Sequence, residues 1–226
     1  MISTAAASAD RHDDFAAMRQ AMVASQLRTA AVADPRVIAA MAEVPRERFV
    51  PAASAALAYR DTAIDLGQGR RLNTPLATAR LLNQARLGAG DRVLLIGAAT
   101  GYTAAVLARL VRETVAVESL PDLVRHATDA LAPVANVTLV EGALEKGHHQ
   151  AAPYDVLVVD GAVEELPETL VTQLVDGGRI VTGLVDKGVY RLAAGARRGA
   201  AHSLLPFADI DSVPLPGFAR PHRFTF

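Results

Sequence analysis

An apolar run, Val93-Leu94-Leu95-Ile96, opens into Gly97-Ala98-Ala99-Thr100-Gly101-Tyr102, and Glu118 follows about twenty residues on. Few folds accommodate that order. A strand that leaves a sheet through a glycine turn into a helix brings backbone close to a ligand. An acid ending the next strand can then accept both hydroxyls of a ribose. The pattern suits a nucleoside in a βαβ unit; the plainer alternative is that Glu118 is a solvated acid at a strand end. The turn reads Gly-x-x-x-Gly, which departs from Gly-x-Gly-x-x-Gly and has no Lys-Ser/Thr, so pyrophosphate is not the expected ligand.

Around this unit the chain alternates helix and apolar strand. Helices are expected over 76–84, 103–110 and 121–131, and strands over 92–96, 114–117, 137–140, 155–159 and 179–184, with a helix over 166–174 closed by the turn Asp176-Gly177-Gly178. Strands apolar along their whole length imply a sheet covered on both faces. The expected class is α/β: a doubly wound, Rossmann-like sheet. Residues 189–226 carry alternating and turn residues, which predicts antiparallel strands at the sheet edge. Upstream, Phe15, Met18, Met22 and Leu27 fall on one helical face, and Asp34-Pro35 caps a second helix over 36–43. Residues 52–71 read as a short helix and a glycine-containing loop, and residues 1–12 as a frayed terminus. The division expected is a helical cap with an acceptor-side loop over 1–75 and a core over 76–226, forming one integrated unit.

Composition narrows the function. The chain has 226 residues, 51% of them hydrophobic, with 23 basic against 24 acidic residues and no cysteine. That is ample for a buried core, and the balanced charge offers no field to gather nucleic acid or an anionic membrane. Without cysteine there is no disulfide, thiolate metal site or thiol nucleophile, and His148-His149 lacks a third ligand at suitable spacing, so a solvated loop is expected there. No run approaches the length of a membrane span and no leader pattern opens the chain. A cytoplasmic monomer with no nucleic-acid or membrane partner is the expectation.

Several further motifs together resemble the protein-L-isoaspartate O-methyltransferases, a branch of the class I S-adenosylmethionine-dependent methyltransferases. Met22-Val23 with Gln26-Leu27, Asp34-Pro35-Arg36-Val37 with Ala40-Met41, and Val44-Pro45-Arg46-Glu47 with Phe49-Val50-Pro51 follow that family's amino-terminal signature in order and spacing. Ala58-Tyr59 with Asp61, Gly67-x-Gly69 and Pro75, then Gly88-x-Gly90-Asp91-Arg92-Val93-Leu94, Pro153-Tyr154-Asp155 and Gly177-Gly178-Arg179 extend the likeness over about residues 18–184.

The resemblance implies methyl transfer from S-adenosylmethionine to the α-carboxyl of L-isoaspartyl residues in damaged proteins or peptides, whose ester then collapses to a succinimide. By position, Gly97, Ala98, Ala99, Thr100 and Gly101 form the cofactor turn, Glu118 is the ribose acid, Gly142, Ala143 and Leu144 take the adenine side, and Asp160 ends the fourth strand beside the cofactor. Asn73 and Thr74 stand in the catalytic motif. Four positions depart from the family pattern: Leu95 and Ala143 where it has acids, Ala99 where it has a second glycine, and Asn73 where it has serine or threonine. Asn73 either touches the acceptor or starts the turn before Pro75. Asp160 either faces the cleft or caps a loop; with Glu141 and Glu145 it is a candidate to take over part of the lost acids' role. Arg70-Arg71 either attract an acidic acceptor or are solvated. Two other readings stay open: a methyltransferase with a different acceptor, and a binding relative without catalysis.

Overall fold

The computed structural model describes residues 14–220. A helix α1 over 14–27, whose last turn Val23–Leu27 is a π turn, is followed by α2 (Pro35–Glu43). A two-stranded hairpin comes next, β1 (Ile64–Gly67) with β2 (Arg70–Leu72), where a glycine-containing loop is expected from the sequence. Then come α3 (Pro75–Gln84), β3 (Arg92–Ile96), α4 (Tyr102–Leu107), β4 (Glu113–Glu118), α5 (Pro121–Leu131) and β5 (Val137–Glu141). The chain closes with β6 (Tyr154–Val163), α6 (Glu168–Val171), β7 (Leu174–Asp186), β8 (Val189–Arg198) and β9 (Ala201–Ala208).

The seven-stranded sheet has the order β5-β4-β3-β6-β7-β8-β9; β5 to β7 run parallel, and β8 and β9 are added antiparallel at one edge. This is the doubly wound sheet with antiparallel edge strands that the sequence predicts. Its strands alternate strictly. Val93, Leu95, Ala116, Val156 and Val158 face one layer, where α1 to α5 pack. Leu94, Ile96, Val115, Val117, Leu157 and Val159 face the other, with Leu166, Leu170, Leu215 and Phe218. Cap residues Met22, Leu27, Val37 and Met41 share one apolar cluster with strand residues Leu95 and Val158.

Local chemistry accounts for the helix ends that position the site. Thr74 Oγ1 accepts the Ala77 N–H at 3.1 Å and Pro75 follows in the first turn, so α3 starts directly after Asn73. In α5, Leu123, Ala127 and Leu131 recur at four-residue spacing and make the buried stripe.

Three expected elements change. The helix over 166–174 contracts to Glu168–Val171, because Leu174 already pairs with Tyr154 of β6. The next pair is Val156 with Arg179, so the residues around Gly177 (φ 78°) bulge from β7 where a turn is expected. The helix over 103–110 stops at Leu107, its place taken by tighter turns, since Arg109 N–H bonds Val106 O and Leu110 N–H bonds Leu107 O. Residues 1–12, and Phe224 and Phe226 of the tail, lie outside the described residues; Phe218 is buried. Among the described residues no helix is long and apolar enough to cross a membrane.

Candidate active site

Chain direction makes the cleft. After β3 the connections run outward to β4 and β5, and the chain then returns to place β6 on the other side of β3. The carboxyl ends on either side of this reversal are where open α/β sheets bind ligands. Gly97 and Gly142 follow β3 and β5 and Glu118 ends β4, whereas Asp160, expected to end its strand, lies within β6, which runs on to Val163 through an irregular register between Val158 and Ala162.

The turn after β3 is held by Gly97 and Ala98, whose N–H groups both donate to Val117 O. Gly97, Ala99 and Gly101 all have left-handed φ, at 81°, 50° and 96°. Only Ala99 adopts it with a side chain, which is the physical content of the missing family glycine. At Gly101 a Cβ would meet Leu131 Cδ1 at 3.0 Å, so the glycine also lets α5 close against the turn. Leu215 lies over Gly97 in the same way, at 3.1 Å. Thr100 Oγ1 donates to Phe49 O, fastening the turn to the cap.

Glu118 is fully buried, which removes the solvated alternative. Its Oε1 accepts from Ser119 N–H, Ser119 Oγ and Leu120 N–H, and its Oε2 accepts from Ala99 N–H at 2.8 Å and Arg70 Nη2 at 2.6 Å. Arg70 is therefore buried rather than solvated, whereas its neighbour Arg71 is exposed. The period of a strand was the available signal: on β2, Arg70 and Leu72 point inward together and Arg71 outward.

Asn73 and Asp160 meet, although they lie far apart in sequence. Asn73 Nδ2 donates to Asp160 Oδ1 and to Ser212 Oγ, both at 3.0 Å, while its Oδ1 accepts the Val213 N–H at 3.2 Å. Thr78 Oγ1 also donates to Asp160 Oδ1, and Thr103 Oγ1 to its Oδ2. Asp160 is thus a buried carboxylate that holds three side-chain donors and does not cap a loop. Asn73 and Thr74 line a cavity of 530 Å³ together with Asp61, Arg71, Tyr190 and Ser212. That cavity adjoins the strand ends through Asn73 itself.

Elsewhere the site is plainer. Leu95 is wholly inside the apolar core on the helical side of β3. At Gly142 an added Cβ would meet nothing nearer than Val117 Cγ1 at 4.0 Å, leaving open space there, and Leu144 is buried beside it. Glu145 turns toward Gly217, and Glu141 is exposed. His148 is tied by its backbone to Gln173 and Tyr154, and no metal-binding group of acidic or histidine side chains exists among the described residues.

Arg46, absent from the predicted set, is a fully buried guanidinium. It bonds Ala58 O and Asn73 O and stacks 4.5 Å over the Tyr102 ring. Desolvation draws it below its ordinary pKa, yet a guanidinium starts so high that it stays charged. Its Nη1 and the Nε and Nη1 of Arg70 are buried donors without partners. Its signal was the proline-bracketed Val44-Pro45-Arg46 segment.

A family model described as Protein-L-isoaspartate(D-aspartate) O-methyltransferase matches residues 17–206. The chain belongs to this family. Among its curated relatives, Protein-L-isoaspartate O-methyltransferase 1 of Rhodopseudomonas palustris is 40% identical, covering 94% of this chain and 91% of its own. A Methanoculleus marisnigri protein-L-isoaspartate O-methyltransferase is 36% identical, covering 88% and 91%. A solved protein-L-isoaspartate O-methyltransferase superposes with a TM-score of 0.76 at 26% identity over 88% of this chain, which spans 66% of that structure's length. A Plasmodium falciparum structure of the family, in complex with S-adenosyl-L-homocysteine, shares the fold with a TM-score of 0.71 at 18% identity, covering 86% of this chain and 96% of its own.

The isoaspartyl-methyltransferase family's nucleoside cofactor fits the residues present. The left-handed turn, a buried carboxylate at the end of β4 and open space at Gly142 match an adenosyl group.

Proposed function

We propose that the chain is a protein-L-isoaspartate O-methyltransferase that uses S-adenosylmethionine. The carrying observation is the Asn73–Asp160 bond, which joins the 530 Å³ cavity to the strand ends where the nucleoside belongs. When bound, the cofactor supplies a methyl group on a sulfonium. Glu118 holds the ribose and the turn from Gly97 to Gly101 shapes the floor beneath it. Gly142, Ala143 and Leu144 form the adenine side.

The acceptor carboxyl needs no strong base. Its unperturbed pKa is about 4, so it is ionised at neutral pH. What remains is alignment and exclusion of water, each worth several kcal/mol. Asn73 serves as a positioning residue at the wall between acceptor and cofactor, fixed by Asp160, Ser212 and Val213; Thr74 serves it indirectly by starting α3. Exposed Arg71, with Asp61 across the cavity, gives the acceptor side its charge. We take the working form as a cytoplasmic monomer, and the formal net charge of −1 supports the absence of a nucleic-acid partner.

Transfer of tritiated methyl to an isoaspartyl peptide and to its aspartyl twin tests this. Label is expected on the isoaspartyl peptide alone; none at saturating methyl donor overturns the assignment.

A further inference from the structure

We infer that Arg70 is a built-in competitor for the nucleoside at Glu118, so that cofactor entry exchanges the guanidinium of the β1–β2 hairpin for ribose hydroxyls. This rests on Glu118 being the ribose acid. A carboxylate offers about four lone-pair sites. Glu118 already receives donors from Ala99 N–H, Ser119 N–H, Leu120 N–H, Ser119 Oγ and Arg70 Nη2, so it has no acceptor capacity left. The three backbone donors are fixed by the turn and the start of α5. The two side-chain donors can rotate away, and a ribose brings two hydroxyls to replace them.

The hairpin is built to yield. Its tip passes through Gly67, Gln68 and Gly69, with φ of 85°, 51° and 75°, and a Cβ on either glycine would meet nothing within 4 Å. The tip is fastened to α5 by an exposed bond, Gln68 Nε2 to Asp122 Oδ2 at 2.8 Å. Inside, Arg70 is 3% exposed and pairs with Glu118 at 2.6 Å, while its Nε and Nη1 find no acceptor. A guanidinium satisfied through one nitrogen only is poorly placed for a permanent structural pair. It protects the acid from standing uncompensated while the cleft lacks a ligand, and it opposes the ligand's arrival.

Calorimetric titration of the full chain with S-adenosylhomocysteine tests this. Arg70→Gln is expected to bind about tenfold or more tightly than the wild type, the equivalent of about 1.4 kcal/mol, while melting at a lower temperature without ligand. Arg70→Lys keeps the charge and stays near the wild-type affinity. In a Glu118→Gln background the Arg70→Gln gain disappears. A merely structural arginine gives the opposite sign, weaker binding on removal. If the wild type binds and Arg70→Gln binds equally or less tightly, the competitor role is overturned and the cofactor reading survives. If neither binds at millimolar ligand, both fall. Should Arg70→Gln fail to fold, Gln68→Ala is the second test: loosening the tip is expected to tighten binding about twofold, and unchanged or weaker binding overturns the role.

Discussion

The Asn73 amide donates to Asp160 Oδ1 at 3.0 Å and accepts the Val213 N–H at 3.2 Å, so one side chain clamps the second half of β6 to the chain's late segment. Asn73→Ala leaves the Val213 N–H without a partner in a buried setting and strips Asp160 of one of its three side-chain donors. We expect a stability loss of about 2–3 kcal/mol in urea unfolding, with isoaspartyl methylation falling in parallel. Asn73→Ser retains a hydroxyl donor and should lose less of both. Equal stability of the alanine variant and the wild type contradicts the clamp.

Ala99 occupies left-handed backbone with φ 50°. Glycine removes the Cβ penalty and keeps the N–H that Glu118 accepts, so Ala99→Gly should gain roughly 0.5–1 kcal/mol even after glycine's extra chain entropy. A thermal midpoint that falls refutes the strain argument.

Gly101→Ala adds a Cβ at φ 96° against Leu131 Cδ1 at 3.0 Å. Strain and overpacking act together, and we expect about 2–3 kcal/mol of destabilisation. Pairing it with Leu131→Ala should recover part of the packing cost but none of the backbone cost. Full recovery in the double variant means that the backbone is unstrained.

Acid sensitivity should localise at α2. The side-chain bond from Arg36 holds the Asp34 carboxyl below its ordinary value, and backbone N–H donation at the helix start adds to this. A depressed folded-state pKa contributes stability that is fully present above the unfolded value of about 3.9 and fades as pH falls through the folded one. Asp34→Ala is expected to cost about 1 kcal/mol at pH near 7 and progressively less below pH of about 4. Urea midpoints for both proteins across that range check this; a constant difference rules it out.

Much of the architecture was legible because strands and helices write their periods into residue choice. Val93 to Ile96 alternate between two layers, and Pro121 and Leu131 bound α5 as the sequence predicts. Glu118 and the turn were legible from spacing alone. The partner of Glu118 was not, because an arginine in a glycine-flanked loop carries no mark of burial until the loop is known to be a hairpin with inward and outward faces. Arg46 stayed hidden for a related reason: its burial depends on Tyr102 and Asn73, both distant in sequence. Long-range polar bonds have no period to read.

Order of synthesis follows from the late segment. Val213 O and Leu215 N–H bond Ala162 in the last residues of β6, and Ser212 and Val213 complete the wall at Asn73. A nascent chain therefore carries every parallel strand of the sheet well before it carries a finished acceptor wall. Until Val213 is made, Asn73 Oδ1 lacks the backbone N–H that fixes it, so this wall is the last part of the molecule to close.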